Sequence, residues 1–231
     1  MFFDPMYFLF LLPALILAGW AQIKVQTTYS KYSRVRAQSG LTGAQAAREI
    51  LDDQGLHDVG IQEIPGSLTD HFDPRTRMLS LSSDVYNSRS VAALGIAAHE
   101  AGHAVQHEKG YAPVALRTAL VPAVSLGSNM AWILFALGIF LQMAAMVYVA
   151  IACFSLAVLF ALVTLPVEFN ASRRALAMLK ESGVMYNYEM PQAKAVLDAA
   201  AMTYVAGALM AILQLLYFLY RAGLLGRRSD D

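Results

Sequence analysis

Between Arg117 and Glu168 the chain carries no charged side chain, so residues 118–167 form an uncharged run of 50 positions. A helix rises 1.5 Å per residue and needs about 20 residues to cross roughly 30 Å of hydrocarbon. The run therefore predicts two membrane crossings joined by a short turn, at residues 122–141 and 145–165 with the turn near Gln142. No Gly, Pro or Asn marks that turn. Two further apolar stretches qualify as crossings, residues 5–25 and 199–220. The second ends at Arg221, with Tyr217 and Tyr220 placed as an interfacial belt beside a snorkelling cation. Composition agrees: 57% of residues are hydrophobic and 15% charged, against about 25% charged in soluble domains.

The first stretch is preceded by Asp4 and by no Lys or Arg, whereas Lys24, Lys31, Arg34 and Arg36 follow it. That is the reverse of a cleavable signal, and it predicts an uncleaved anchor with its N-terminus outside. Four crossings place residues 24–117 and 166–197 on one side. The N-terminus, the turn and the tail fall on the other. The first side holds 14 of the 17 Lys and Arg residues; Arg221, Arg227 and Arg228 lie on the second. The excess of cations assigns the first side to the cytoplasm. Seventeen acidic residues balance 17 basic ones, so charge gives no reason to expect nucleic acid. The single cysteine, Cys153, excludes an intramolecular disulfide and any zinc site built on two or more thiolates.

Residues 41–117 read as a small folded unit. Thr42 can cap a helix over residues 44–54, with Ala46, Ala47, Ile50 and Leu51 on one side and Gly55 ending it. Residues 59–64 alternate as a strand before the Pro65-Gly66 turn, and residues 78–81 form a second strand after the turn at Asp73-Pro74-Arg75-Thr76. The second strand can present an edge to an extended substrate or pair within its own sheet. Asn87 or Ser88 can cap the next helix, which runs to about His107 and stops at Gly110.

That helix contains His99-Glu100-Ala101-Gly102-His103. Histidines four apart share one helical face, so their ring nitrogens can meet one Zn²⁺ at about 2.0–2.1 Å. Glu100 lies beside such an ion without binding it and can take a proton from an activated water. A catalytic zinc needs a third protein ligand. His107 fails: it lies eight residues from His99, about 12 Å along the axis. A third histidine of the metzincin type would stand at position 109, which is Lys109. Two downstream acids remain open. Glu168 follows the third crossing, and the topology returns it to the face that carries the histidines. Asp198 stands at the start of the last crossing, where an intramembrane metalloprotease would carry a ligand.

The chain resembles the YugP-type membrane-bound neutral zinc metallopeptidases, a bacterial family, over nearly its whole length. The likeness is carried by Ser39-Gly40-Leu41-Thr42-Gly43, Leu68-Thr69-Asp70-His71-Phe72-Asp73-Pro74, Leu81-Ser82-Ser83-Asp84-Val85-Tyr86-Asn87, Ser90-Val91-Ala92-Ala93-Leu94-Gly95, the His99–His103 motif, Gly110-Tyr111-Ala112-Pro113 and residues 168–175. More distantly it is similar to the HtpX and CAAX-prenyl endopeptidase group of gluzincins, in which a later Glu-x-x-Ala-Asp pattern supplies the third ligand. The resemblance implies His99, His103 and Glu168 as ligands of one Zn²⁺ per chain and Glu100 as the base. Ser172 stands where the wider group has an Asp that orients a ligand histidine. A hydroxyl there can still accept a ring N–H, without a charge.

The expected fold is a mainly α integral membrane protein with four transmembrane helices and a small α+β zincin-like catalytic unit between the first and second. The expected organisation is an anchor over residues 1–25, a cytoplasmic catalytic region over 26–117 and two transmembrane helices over 118–167. A loop or helix over 168–197 would carry the third ligand, and the fourth helix and tail would occupy 198–231. The implied activity is hydrolysis of peptide bonds in membrane or membrane-proximal proteins, at the cytoplasmic face of the plasma membrane of a bacterial cell. Peptide or protein substrate and the lipid bilayer are the expected partners. An intramembrane, site-2-type protease using Asp198 would need the motif in a spanning helix. Here only residues 91–98 precede it, and Glu108 and Lys109 follow. A zinc-binding scaffold without turnover would not need Glu100.

Overall fold

The computed structural model describes residues 4–225; Arg227 and Arg228 of the tail lie outside them. In chain order the elements are α1 (Pro5–Tyr32), α2 (Gly43–Asp53), β1 (Gly60–Ile64), β2 (His71–Asp73), β3 (Met78–Ser82), α3 (Ser83–Tyr86), α4 (Val91–Glu108), α5 (Ala112–Phe140), α6 (Ala144–Glu181) and α7 (Met190–Arg221). The protein is mainly helical with one small mixed sheet. Among the described residues, α1, α5, α6 and α7 are long and apolar enough to cross a membrane. The chain divides into two compact units, one of residues 1–20, 115–166 and 203–231, the other of residues 21–114 and 167–202.

In the first unit, Phe135 stacks on Phe218 with ring centroids 4.0 Å apart, and Trp132 meets Phe218 edge-on. The chain reverses between α5 and α6 through Gln142, whose φ is +54°. Met143 N–H donates to Gly138 C=O and Gln142 N–H to Ile139 C=O. This is the left-handed helix ending that glycine usually provides, and its occupation by glutamine explains why residue types gave no sign of the turn. Gly138 is required by close approach: a Cβ there would lie 2.9 Å from the Val147 backbone nitrogen.

The second unit is built around α4. Ser90 caps it, its Oγ accepting from Ala93 N–H; the cap is thus two or three residues later than the expected Asn87 or Ser88. Thirteen of its eighteen residues are buried, which marks a helix packed on all sides. Ile50 and Leu51 of α2, Leu79 and Leu81 of β3, and Ala175 and Leu179 of α6 belong to the same core. Helix α2 begins with a reciprocal capping box between Thr42 and Gln45 and buries Ala46, Ala47, Ile50 and Leu51, the face expected from sequence. Gly55 and Gly110, at φ +75° and +58°, end α2 and α4. In each case the next residue closes the helix, Leu56 N–H on Leu51 C=O and Tyr111 N–H on Gln106 C=O.

The sheet order is β1-β3-β2, with β3 parallel to β1 and antiparallel to β2. Strand β3 is therefore central and offers no free edge to a substrate, because β2, a three-residue strand not expected from sequence, fills its second side. Helix α3 is equally unexpected. The segment after the third apolar stretch is mostly helical: α6 continues unbroken to Glu181, residues 182–189 connect, and α7 begins at Met190, eight residues before Asp198.

Candidate metal centre

Helix α4 places His99 and His103 one turn apart, with ring centroids 4.8 Å apart and planes at 89°. Glu168 reaches them from α6. Its Oε2 lies 3.3 Å from His99 Nε2 and 3.5 Å from His103 Nε2, and one ligand atom from each of the three lies within 4.8 Å of the others. Two ligands at about 2.0–2.1 Å from a tetrahedral zinc stand about 3.4 Å apart, so both nitrogen–oxygen separations fit a shared ion. The Glu168 side chain is 3% exposed and the two histidines 14% and 15%, so the cluster is buried yet open at the imidazoles.

A close helix contact makes this convergence possible. A Cβ on Gly102 would fall 2.8 Å from Ala171 C=O of α6, so any side chain at the fourth motif position would push the Glu168-bearing helix away. The surroundings favour positive charge. Burial opposes a charged His103, but its hydrogen bond to Glu168 and the charges of Glu100 and Glu168 outweigh this and hold its pKa above the ordinary imidazole value. Burial likewise works against the Glu168 carboxylate, which lies beyond the apolar stretch of residues 145–165. The two histidines overcome that effect and hold it well below the usual carboxylate range.

Of the other residues singled out from sequence, Ser172 does approach the centre, its Oγ 3.2 Å from His99 Nδ1. Glu100 is buried on the same turn, 9% exposed. His107 stands apart, its ring against Phe72. Asp198 is not brought to the histidines; it pairs with Lys194 on its own helix, both side chains more than half exposed. Sequence reasoning passed over Gln106 and Asn170. Gln106 is fully buried; its Oε1 lies 3.0 Å from His103 Nδ1, and its Nε2 donates to Val167 C=O at 2.8 Å and to Asn170 Oδ1 at 3.0 Å. Arg174 Nε donates to the same Asn170 oxygen at 2.8 Å. The available signal was a glutamine about one turn past the second histidine, following the apolar Ala104 and Val105.

A chain with four apolar helices and a buried cluster of two histidines and a glutamate, the histidines set in a helical HExxH, falls in the class of membrane metallopeptidases. Residues 7–223 match the family described as "Putative neutral zinc metallopeptidase". The chain is also 47% identical over 214 residues to the protein of Bacillus subtilis (strain 168) described as "Putative membrane protease YugP", covering 92% of this chain and 95% of that one. The chain belongs to this zinc metallopeptidase family. No solved structure matches it.

Proposed function

We propose that the protein is a multi-pass, zinc-dependent endopeptidase of the gluzincin type that hydrolyses peptide bonds of membrane or membrane-proximal proteins. Its second unit would act as a zincin-like catalytic body. His99, His103 and Glu168 would hold one Zn²⁺, and Glu100 would act as general base and acid. The observation that carries this reading is the convergence of the three ligand atoms within 4.8 Å, with Glu100 one residue from His99. Against a ligand role for Asp198 stands its pairing with Lys194 on an exposed face.

When bound, the zinc supplies Lewis acidity: it polarises the scissile carbonyl and lowers the pKa of a water to about 7. Glu100 takes the proton from the attacking water and later delivers it to the leaving nitrogen, so the amine departs neutral. Its burial keeps that proton from bulk solvent. Ser172 and Gln106 hold the outer ring nitrogens of His99 and His103, leaving both Nε2 atoms directed at the centre. The purified protein and its Glu100→Gln variant, assayed on an unfolded model substrate with zinc quantified in both, test the reading. Hydrolysis by the wild type alone, at equal zinc content, is the expected result; equal turnover would overturn the mechanism.

The site would face the cytoplasm, because 14 of 17 cations flank it on the same side of the crossings. Single cysteines at Ser39 and at Ser229, the latter outside the described residues, can be probed in a Cys153→Ser background with an impermeant thiol reagent on intact cells. Labelling at position 229 and protection at 39 is expected; the reverse pattern overturns the orientation and leaves the chemistry standing.

A further inference from the structure

We propose that Gln106 is a positioning residue for the metal centre. It sets which ring nitrogen of His103 carries the proton and ties the His103 turn of α4 to the backbone beside Glu168. The proposal rests on the zinc reading above and extends it to a residue outside the ligand set.

Gln106 is 0% exposed, directly after Ala104 and Val105 of the hydrophobic core. A buried amide left unpaired costs about 1–3 kcal/mol, but this one is paired at both ends. The two ends of an amide look alike, so their roles follow from the partners. Val167 C=O, 2.8 Å away, can only accept; the end facing it is therefore the NH₂. The opposite end, 3.0 Å from His103 Nδ1, is then the carbonyl oxygen, which can also only accept. His103 Nδ1 must therefore be the N–H. In a neutral imidazole this leaves the lone pair on Nε2, the nitrogen that lies 3.5 Å from Glu168 Oε2.

The far end of the chain of hydrogen bonds agrees. A guanidinium only donates, so the Arg174 Nε contact at 2.8 Å identifies the Asn170 atom as an oxygen. Gln106 Nε2 donates to that oxygen as well. Two groups with a single possible role, Val167 C=O and the Arg174 guanidinium, thus both fix the Gln106 NH₂, and with it the carbonyl oxygen that faces His103. The other histidine has no such arrangement: Ser172 Oγ, 3.2 Å from His99 Nδ1, can donate or accept. Gln106 also acts on the second ligand helix, because Val167 immediately precedes Glu168. One side chain therefore aims His103 and holds the backbone from which Glu168 projects.

The test uses the full chain in detergent and zinc alone as probe, in competition with a chromophoric chelator. Gln106→Met keeps the shape and removes every polar contact; Gln106→Glu, as the protonated carboxyl that burial between two carbonyl oxygens favours, keeps an acceptor for His103 Nδ1–H and a donor for Val167 C=O. The expected result is zinc binding about 10–100-fold weaker in Gln106→Met, with most of that loss recovered in Gln106→Glu. The Co²⁺-substituted protein should show a shifted visible spectrum in Gln106→Met and a spectrum close to wild type in Gln106→Glu. A role in packing alone would lower the thermal midpoint of zinc-free Gln106→Met and leave the zinc affinity of the folded protein unchanged, which overturns the proposal. So does a Gln106→Glu variant as weak as Gln106→Met. Should Gln106→Met not fold, Gln106→Glu alone decides: affinity within about 10-fold of wild type supports the role, and a loss beyond about 100-fold overturns it. Wild-type protein that binds no zinc would instead overturn the metal-centre reading, and this proposal with it.

Discussion

The two compact units satisfy their polar groups in different ways. In the first, Ser128, Ser155 and Thr164 each donate to a carbonyl four residues back on their own helix. These bonds need no neighbour. Tyr217 and Gln214 are exceptions: Tyr217 Oη donates to Asp4, 213 residues away, and Gln214 is buried with its amide nitrogen unpartnered among the described residues. The second unit has such bonds too, as from Ser182 to Met178 C=O, but it adds partners far apart in sequence. Gln106 reaches Val167, Gln38 N–H donates to Glu189 and Ser82 N–H to Asp70. Polar groups with their own helix for a partner follow from local sequence alone. Groups that meet across elements exist only once those elements have packed, and the candidate metal centre belongs to this second kind.

The largest effect should come from breaking that long-range convergence. Glu168→Ala is expected to weaken zinc binding by more than about 100-fold, beyond the loss from an outer-shell contact, whereas Asp198→Ala should leave it unchanged. Zinc titration of both variants checks this, and a loss confined to Asp198→Ala would reverse the choice of third ligand. Glu100→Gln should retain zinc and lose about 10²–10⁴-fold in turnover, since it removes a proton carrier and no ligand. Steady-state hydrolysis at matched zinc content measures it.

Two glycines separate the units more finely. Gly102→Ala drives a Cβ against Ala171 C=O and should cost about 1–3 kcal/mol of stability, with weaker zinc as α6 is pushed off. Gly207 on α7 meets nothing within 4 Å, so Gly207→Ala should be neutral or stabilising by up to about 1 kcal/mol. Thermal unfolding in detergent compares them; equal destabilisation would erase the contrast. The smallest effect is expected for Ser155→Ala. It removes one bond to its own helix and should shift stability by less than about 1 kcal/mol.

Much of this molecule was legible from local pattern. The uncharged run of residues 118–167 marks two apolar helices, because the cost of burying charge in hydrocarbon acts residue by residue. The four-residue spacing of His99 and His103 places both on one face, since helix geometry is repetitive. Thr42 caps the start of α2 with its side chain, and Gly55 and Gly110 mark backbone closures of α2 and α4, all through bonds reaching only a few residues. Tertiary structure alone decided the rest. Spacing left both Glu168 and Asp198 open as third ligand, and only the family resemblance favoured Glu168. The packed helices place them differently: α6 lies on α4 closely enough to require glycine at 102 and brings Glu168 to the histidines, while Asp198 pairs with Lys194. Strand β3 became the centre of its sheet only through β2, whose three residues are too short a segment for alternation to show. The turn at Gln142 uses a left-handed ending without the residue types that announce one. Gln106 gains its roles from a carbonyl 61 residues away, a partner that no periodicity in the sequence can name.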